Sequence, residues 1–412
     1  MVTMPSATSP ETTSTFTPLT LLPATFAKIS PIPYLTAHLS PPDPTIPPIR
    51  PNGRTPSAFR ALSCTTSSLT HCVGSAVVRL GDTAVVCGIQ AEVLLASSIP
   101  NPPRPPPQSI FQTDTAQGLA RWYAGELASL NLLVPNVDMA TGCSPANLPG
   151  GPPTMEAQIL SHRILALLLS SRLVDIEDLR IRHTPSSVDT TLGDSEAMAE
   201  EDEEVDAPRQ ETVAYWTLYP SIHVLSLSGS AALFSAAWAA LVAALRDVRL
   251  PRAWWDEDVQ GVLCSDLVAE AKRLRLRGCP VVSTWGVFVG SPSQLGAEKH
   301  ADETVERSNQ KEKPRSSKMM GMLEQGRPVG NGRRAWLLAD PDGFEDPLCV
   351  EIVTVVVDCS DIEGSAVKNG TRILKIEKSG GGVVRREEMG MLAQMAELRW
   401  REWDEVLNAC QR

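Results

Sequence analysis

Two β-branched segments joined by a glycine–aspartate pair are the strongest structural signal in this 412-residue sequence. They span 74–80 and 83–93, with Gly81 and Asp82 between them. A two-residue connection that contains glycine is typical of a tight β-hairpin, because glycine adopts positive φ without steric cost. In the second segment small or apolar residues occupy alternate positions, as in a half-buried strand. These residues are Val85, Cys87, Ile89, Ala91 and Val93.

The remaining periodic segments divide the chain into two halves, 50–250 and 251–412. Each half places strand-like runs before a helix, and Thr154 is a plausible N-cap for the first helix. We therefore predict an α+β fold of two sheet-plus-helix halves. The strand-like runs span 134–138, 213–227, 281–289, 335–339, 348–357 and 371–377, and the helices start near 154, 231 and 390.

Four stretches interrupt this pattern with compositions that bury little apolar surface. Residues 1–49 are rich in Pro, Ser and Thr, and only 21–39 has the pattern of a short docking helix. The other three stretches lie at about 100–125, 184–210 and 291–334. Because compact domains rarely contain structureless loops of this length, we predict mobile surface insertions.

The net charge of −11 is concentrated in one of these insertions. Residues 184–210 carry nine acidic side chains and one arginine, which leaves about −3 for the rest of the chain. A basic face that binds RNA therefore remains possible.

The nine cysteines form no Cys-x-x-Cys pair and show no zinc-ligand spacing, which indicates free thiols in a reducing compartment. The N-terminus lacks the pattern of a signal peptide, and the most apolar stretch, 231–245, is short for a membrane span. We expect a soluble intracellular protein that uses no metal ion or other cofactor.

The segments around the hairpin resemble the start of an RNase PH domain. They are Arg50-Pro51-Asn52-Gly53-Arg54, Phe59-Arg60 and the hairpin itself. Asn52 stands where that family usually has aspartate. The resemblance implies the RNase PH fold, which is ribosomal protein S5 domain 2-like.

Further segments resemble the non-catalytic RNase PH-like subunits that form the six-membered ring of the eukaryotic RNA exosome. These are Val134-Pro135-Asn136-Val137-Asp138, Gly151-Pro152-Pro153 with Glu156-Ala157-Gln158, and Phe26-Ala27-Lys28-Ile29-Ser30-Pro31 with Tyr34-Leu35. The implied partners are RNase PH-like ring subunits, an S1-domain cap subunit, RNA in the ring pore and an associated hydrolytic nuclease, with no membrane. The implied roles are rRNA processing, RNA surveillance and mRNA turnover, in the nucleus including the nucleolus and in the cytoplasm.

The resemblance also locates the positions where active relatives hold inorganic phosphate with two arginines. The first position falls on His162, and the second falls in Gly229-Ser230-Ala231-Ala232, which has no arginine. The acidic positions fall on Asp340 and Asp346. We interpret His162, Asp340 and Asp346 as vestigial active-site positions and predict no catalytic residue. A solvent-exposed histidine and a turn solvated or capped by the two aspartates are the simpler alternatives.

Four arginines are candidates for RNA contact: Arg50, Arg54, Arg60 and Arg163. The first three could equally pair with carboxylates of the hairpin region, and Arg163 could instead reach a neighbouring subunit. The basic stretch 272–277 alternates charged and apolar residues like a strand, and its charged face is expected to be solvated or at an interface.

Two other functions remain open from the sequence. One is an active phosphate-dependent 3′–5′ exoribonuclease that uses Asp340, Asp346 and a cation such as Arg163. The other is an RNA-binding protein outside any ring, whose affinity would fall steeply with salt.

Overall fold

The computed structural model describes residues 21–41, 43, 46–102, 122–123, 125–145, 147–149, 151–184, 211–291, 326–330, 333–360 and 370–410. Most residues of the three predicted insertions, and the first twenty residues, lie outside this described part. Their predicted mobility therefore stays a prediction.

The first half forms a six-stranded sheet in the order β1-β2-β3-β6-β4, with β5 paired to β6. Its strands are β1 (Leu62–Thr66), β2 (Gly74–Leu80), β3 (Thr83–Leu95), β4 (Asn136–Met139), β5 (Arg180–His183) and β6 (Glu211–Ser226). The predicted hairpin is present: β2 pairs antiparallel with β3, and Gly81 has φ +60° in the turn. Val85, Cys87 and Ile89 are fully buried, whereas Gln90 and Glu92 are exposed.

Two small ribbons follow the first sheet. Strands β7 (Arg249–Leu250) and β10 (Lys272–Arg273) pair antiparallel, and so do β8 (Ala253–Asp256) and β9 (Gly261–Cys264). These strands are too short to show a strand pattern in the sequence, apart from the alternation in 272–277.

The second half forms a five-stranded antiparallel sheet in the order β12-β13-β11-β14-β15. Its strands are β11 (Val281–Val289), β12 (Arg327–Gly330), β13 (Arg333–Ala339), β14 (Cys349–Asp358) and β15 (Arg372–Gly380). All four strand-like runs predicted here are strands, with ends shifted by a few residues.

The helices lie against and between these sheets. The α-helices with both ends described are α1 (Pro23–Ile29), α2 (Pro31–Leu39), α3 (Met155–Ser171), α4 (Ile176–Leu179), α5 (Ser230–Asp247) and α6 (Arg386–Ala409), and residues 125–129 are also helical. Thr154 is the N-cap of α3, where its Oγ1 accepts a hydrogen bond from the Ala157 amide at 3.2 Å. The docking segment contains two short helices rather than one, and Leu35 and Leu39 of α2 pack on Phe288 and Trp336 of the second sheet.

Helix α5 is the central element of the fold. Every residue from 231 to 245 is buried, and the helix contacts β2 and β3 of the first sheet and β11 of the second. By length and composition this described helix could cross a membrane, but its apolar surface is already covered by the two sheets. An apolar helix covered on all sides is expected where two sheets share one core element.

Helix α6 joins the two cores. Its Leu392, Met395 and Ala396 pack into the core of the second sheet, whereas Trp403 and Leu407 pack into the core that contains α5. Since the same helix covers both sheets, the two halves form one body.

Candidate functional site

Six polar side chains from the 50–60 segment and the 340–345 loop form the cluster that contains most of the predicted site residues. We call it the arginine–carboxylate cluster, and its members are Arg50, Arg54, Arg60, Asp340, Asp342 and Glu345. The loop follows directly after β13, and the Ala339 amide donates to the Pro56 carbonyl at 2.8 Å. This hydrogen bond holds the two segments side by side.

Arg60 and Asp340 form a bidentate ion pair. Arg60 Nε lies 2.7 Å from Asp340 Oδ2, and Nη2 lies 2.6 Å from Oδ1. Arg60 is 8% exposed and Asp340 is 3% exposed. Burial alone would lower the pKa of Arg60, but the Asp340 carboxylate outweighs it and raises that pKa. The two side chains therefore neutralise each other's charge, and neither is presented to solvent.

Arg50 is fixed in the same way. Its guanidinium donates to Glu345 Oε2 at 3.0 Å and to the carbonyl of Thr55 at 3.0 Å, and its side chain is fully buried. Burial raises the pKa of Glu345, and the nearby Arg50 opposes this shift. Burial outweighs the arginine, so the pKa of Glu345 stays above its ordinary value.

The contacts of Asn52 show why an amide fits at a position where RNase PH domains usually have aspartate. Its Nδ2 donates to Asp342 Oδ2 at 2.7 Å and lies 3.4 Å from Glu345 Oε1. An aspartate at position 52 would bring a third carboxylate against these two. Burial would raise the pKa of Asp342, but hydrogen bonds from Asn52 and from the amides of Phe344 and Glu345 lower it.

Arg54 is the most accessible arginine of the cluster. Its side chain is 17% exposed, and Nη2 donates to the Asp340 carbonyl at 3.1 Å. Burial, followed by repulsion from Arg50, lowers the pKa of Arg54 to about 10. It remains a cation at neutral pH.

Asp346 lies beside the cluster and caps the N-terminus of α5. Its Oδ2 accepts hydrogen bonds from the Ser230 amide at 2.9 Å, Ser230 Oγ at 2.6 Å and the Ala231 amide at 3.2 Å. Gly229, the residue before Ser230, has φ +87°, and a Cβ there would lie 2.9 Å from the Gly343 amide nitrogen. Glycine at 229 thus allows the loop to approach the helix and place the carboxylate on its free amides.

Helix α3 supplies the neighbouring surface. Its first-turn Glu156 has a raised pKa, chiefly through burial and then through the nearby charge of Asp346. His162 is exposed and has no hydrogen bond to a described residue. Arg163 pairs with Glu377 of β15, and its guanidinium carbon lies 4.2 Å from the centre of the Phe234 ring. Asp346 therefore faces a second carboxylate and no free arginine.

Arg50, Arg54, Arg60 and Asp340 lie in the cluster and Asp346 lies beside it, whereas His162 and Arg163 are on α3. Arg50 and Arg60 are buried in ion pairs, but their partners are Glu345 and Asp340 and not carboxylates of the hairpin; a guanidinium that binds RNA must be exposed. The simpler alternative expected the two aspartates to cap or solvate a turn; in the structure Asp340 pairs with Arg60 and Asp346 caps α5. Arg54 and Arg163, partly exposed, stay candidates for RNA contact.

Arg399 was not found from the sequence. This α6 side chain is 4% exposed, its guanidinium carbon lies 4.9 Å from the centre of the Phe59 ring, and it donates to the Arg60 carbonyl at 2.5 Å. It connects the C-terminal helix to the cluster. A single arginine in a helix with several charged residues gives no sequence signal of burial.

Replacement of Asp346 by alanine is expected to lower the free energy of unfolding by about 1 kcal/mol, because two amides of α5 lose their acceptor. Chemical denaturation measures the change. Glu405→Gln is the matched control, since Glu405 is exposed and has no described hydrogen bond. Equal stability of Asp346→Ala and the native chain would contradict the capping role.

Among the described residues, no group of three His, Cys, Asp or Glu side chains is placed to hold a metal ion. The carboxylates of the cluster are each engaged by arginine, amide or backbone donors. The chemistry of this site is thus ion pairing and helix capping.

A mixed six-stranded sheet and an antiparallel five-stranded sheet share one buried helix, and the cluster lies between the 50–60 and 340–346 segments. These features define an RNase PH-type fold. The 3′ exoribonuclease family, domain 1, matches residues 58–251. Exosome complex component rrp43 of Schizosaccharomyces pombe is 31% identical over 256 residues, which cover 62% of this chain and 71% of the relative. The chain belongs to this RNase PH family of exosome components.

Two archaeal proteins extend the comparison. Exosome complex component Rrp42 of Methanothermobacter thermautotrophicus is 24% identical over 202 residues, which cover 49% of this chain and 53% of the relative. A solved structure described as the Archaeoglobus fulgidus exosome with RNA bound to the active site has a TM-score of 0.52 at 18% identity. It covers 90% of this chain and 95% of that chain, and it supports the fold alone. The resemblance and the fold class expected from the sequence are confirmed.

Proposed function

We propose that this chain is a non-catalytic subunit of an RNA exosome ring. The proposal rests on the residues at the N-terminus of α5. In active RNase PH-type relatives the resemblance places a phosphate-binding arginine at this position. Ser230 and Ala231 stand there, and the Asp346 carboxylate accepts the hydrogen bonds of both amides. A carboxylate at this position repels phosphate electrostatically and competes for the same donors.

The other elements that phosphorolysis needs are also engaged elsewhere. Transfer to phosphate requires fixed cations for the anion and a carboxylate that positions the attack or holds a metal ion. Asp340 is neutralised by Arg60, and Arg163 is paired with Glu377. The competing proposal, an active phosphorolytic enzyme, needs these same groups to be free.

The expected setting is a hetero-hexameric ring with other RNase PH-like subunits, an S1-domain cap subunit and a hydrolytic nuclease that receives RNA from the pore. In this setting the chain contributes two contact surfaces to ring closure. Its proposed roles are rRNA maturation, RNA surveillance and mRNA turnover, in the nucleus, nucleolus and cytoplasm. The relatives' description as exosome components supports the exosome setting of this proposal.

The test is co-expression with RNase PH-like partner subunits, followed by native mass spectrometry and an RNA degradation assay on the same fractions. We expect a stoichiometric hetero-oligomer that contains this chain and releases no nucleoside diphosphates when inorganic phosphate is added. The same fractions without phosphate are the control.

A failure of the chain to enter any such assembly would contradict the ring proposal. Phosphate-dependent degradation that Asp346→Ala abolishes without loss of assembly would contradict the non-catalytic role. Tight RNA binding by a chain that remains monomeric would favour the free-standing RNA-binding protein.

A further inference from the structure

A row of exposed basic side chains lies on the ribbon formed by β7 and β10, at residues that belong to none of the site described above. Arg249 of β7 is directly opposite Arg273 of β10 in the antiparallel register. Both side chains are exposed. Like charges directly opposite each other on a sheet repel, so this pair does not stabilise the ribbon.

No described residue compensates these two charges. Neither Arg249 nor Arg273 has an ion pair or a side-chain hydrogen bond within the described part of the chain. The contrast with the other cations of the stretch is clear: Lys272 Nζ lies 2.7 Å and Arg275 Nη2 lies 3.3 Å from Asp178 Oδ1. Arg277 pairs with Asp175. The fold therefore fixes the flanking cations and leaves the central pair without an anion.

The backbone of the basic stretch is held in place by its neighbours. The Leu274 amide donates to the Val248 carbonyl at 3.2 Å, and the Arg277 amide donates to the Leu173 carbonyl at 2.8 Å. Leu274 is buried, which directs Arg273 and Arg275 to the solvent side. Burial would raise the pKa of Asp178, but hydrogen bonds from Lys272 and Arg275 lower it, so the anchoring carboxylate stays ionised.

The spacing and chemistry of the row match a phosphate chain. In an extended segment, side chains two residues apart on one face are separated by about 6.5–7 Å. Arg273, the last residue of β10, and Arg275 lie two residues apart, with the buried Leu274 between them. Arginine binds phosphate with two parallel hydrogen bonds and remains charged at every physiological pH.

From these observations we propose that Arg249 and Arg273 together bind one phosphate of single-stranded RNA, beside Arg275 and Arg277, which are already paired with Asp178 and Asp175. The sequence favoured a solvated or interface role for 272–277, but it could not place Arg249 opposite Arg273. The inference deepens the proposed function, on which it rests, by giving this subunit an RNA contact outside the arginine–carboxylate cluster. An acidic protein surface is the competing occupant.

The experiment measures binding of a fluorescein-labelled single-stranded oligouridine to the full chain by fluorescence anisotropy over a series of salt concentrations. Arg249→Gln/Arg273→Gln is compared with Arg333→Gln/Arg334→Gln, which removes the same charge from two exposed arginines of β13. We expect the first variant to lose on the order of tenfold in affinity near 0.1 M salt. The slope of log affinity against log salt should become shallower by about 0.7, since the two arginines share one phosphate and each single-strand phosphate contributes about 0.7.

A thermal unfolding midpoint that stays unchanged or rises in Arg249→Gln/Arg273→Gln would agree, because the variant removes a repulsive pair. Equal losses in both variants, or an unchanged salt slope, would overturn the proposal. Unchanged RNA affinity with lost ring assembly in native mass spectrometry would assign the row to an acidic partner and overturn it as well. The variant ring could also assemble normally, lack phosphate-dependent activity and bind RNA as well as the native ring. That result would overturn this inference and leave the proposed function intact.

Discussion

Replacement of Asp340 by asparagine is expected to lower the free energy of unfolding by about 3–5 kcal/mol, because Arg60 is left as a buried cation without its partner. Asp340 has φ +50°, a conformation that asparagine adopts readily, so the substitution removes charge without adding backbone strain. Urea denaturation monitored by tryptophan fluorescence measures the change. A catalytic role predicts the opposite result, lost activity in a chain of native stability.

Two further variants make this result specific. Asp342→Asn is the control in the same loop, and we expect a loss of about 1 kcal/mol, since an amide oxygen still accepts the turn's hydrogen bonds. Arg60→Met/Asp340→Asn should be more stable than Asp340→Asn, because no buried charge then lacks a counterion. A loss below about 1 kcal/mol in Asp340→Asn would mean that the carboxylate is not needed by the fold.

Replacement of Arg399 by alanine is expected to lower the free energy of unfolding by about 3 kcal/mol, because a buried side chain is removed and a carbonyl loses its donor. The guanidinium carbon lies 4.9 Å from the Phe59 ring centre and 5.5 Å from that of Trp403. Burial lowers the pKa of Arg399, and the Glu402 carboxylate opposes this shift. Chemical denaturation measures the loss.

Arg401→Ala is the matched control on the same helix. Arg401 is 62% exposed, and within the described part of the chain it pairs with Glu397 one turn earlier and with no other carboxylate, so its loss should cost about 0.5 kcal/mol or less. Arg399→Lys should recover only part of the stability, since an ammonium group cannot stack on both rings and donate to the Arg60 carbonyl at once. Similar values for Arg399→Ala and Arg401→Ala would show that the contact with the cluster is not important.

The fold was predictable because its elements carry local signals. The Gly81 turn, the Thr154 cap and the wholly apolar α5 each identify an element from a few neighbouring residues. The candidate positions His162, Asp340 and Asp346 were assigned by motif resemblance, which needs no knowledge of the fold, and their vestigial character stays a prediction.

The partners of those residues were not predictable, because they come from distant parts of the chain. Arg60 meets Asp340 across 280 positions, and Asp346 meets Ser230 across 116. The neighbouring sequence does not distinguish an arginine that is buried against a distant carboxylate from an arginine that is exposed. The two-residue strands β7 and β10 are likewise too short for periodicity to reveal, so the opposition of Arg249 and Arg273 is visible only in three dimensions.

The position of α6 has a consequence for biosynthesis. During translation both sheets emerge from the ribosome before this last helix, so Trp285, Val353 and Val355 of the second core have no helix to cover them. Nascent chains with an exposed apolar sheet are prone to aggregate. Docking of this one helix completes both cores together, so the interval between synthesis of the second sheet and synthesis of α6 is the one in which apolar surface is most exposed.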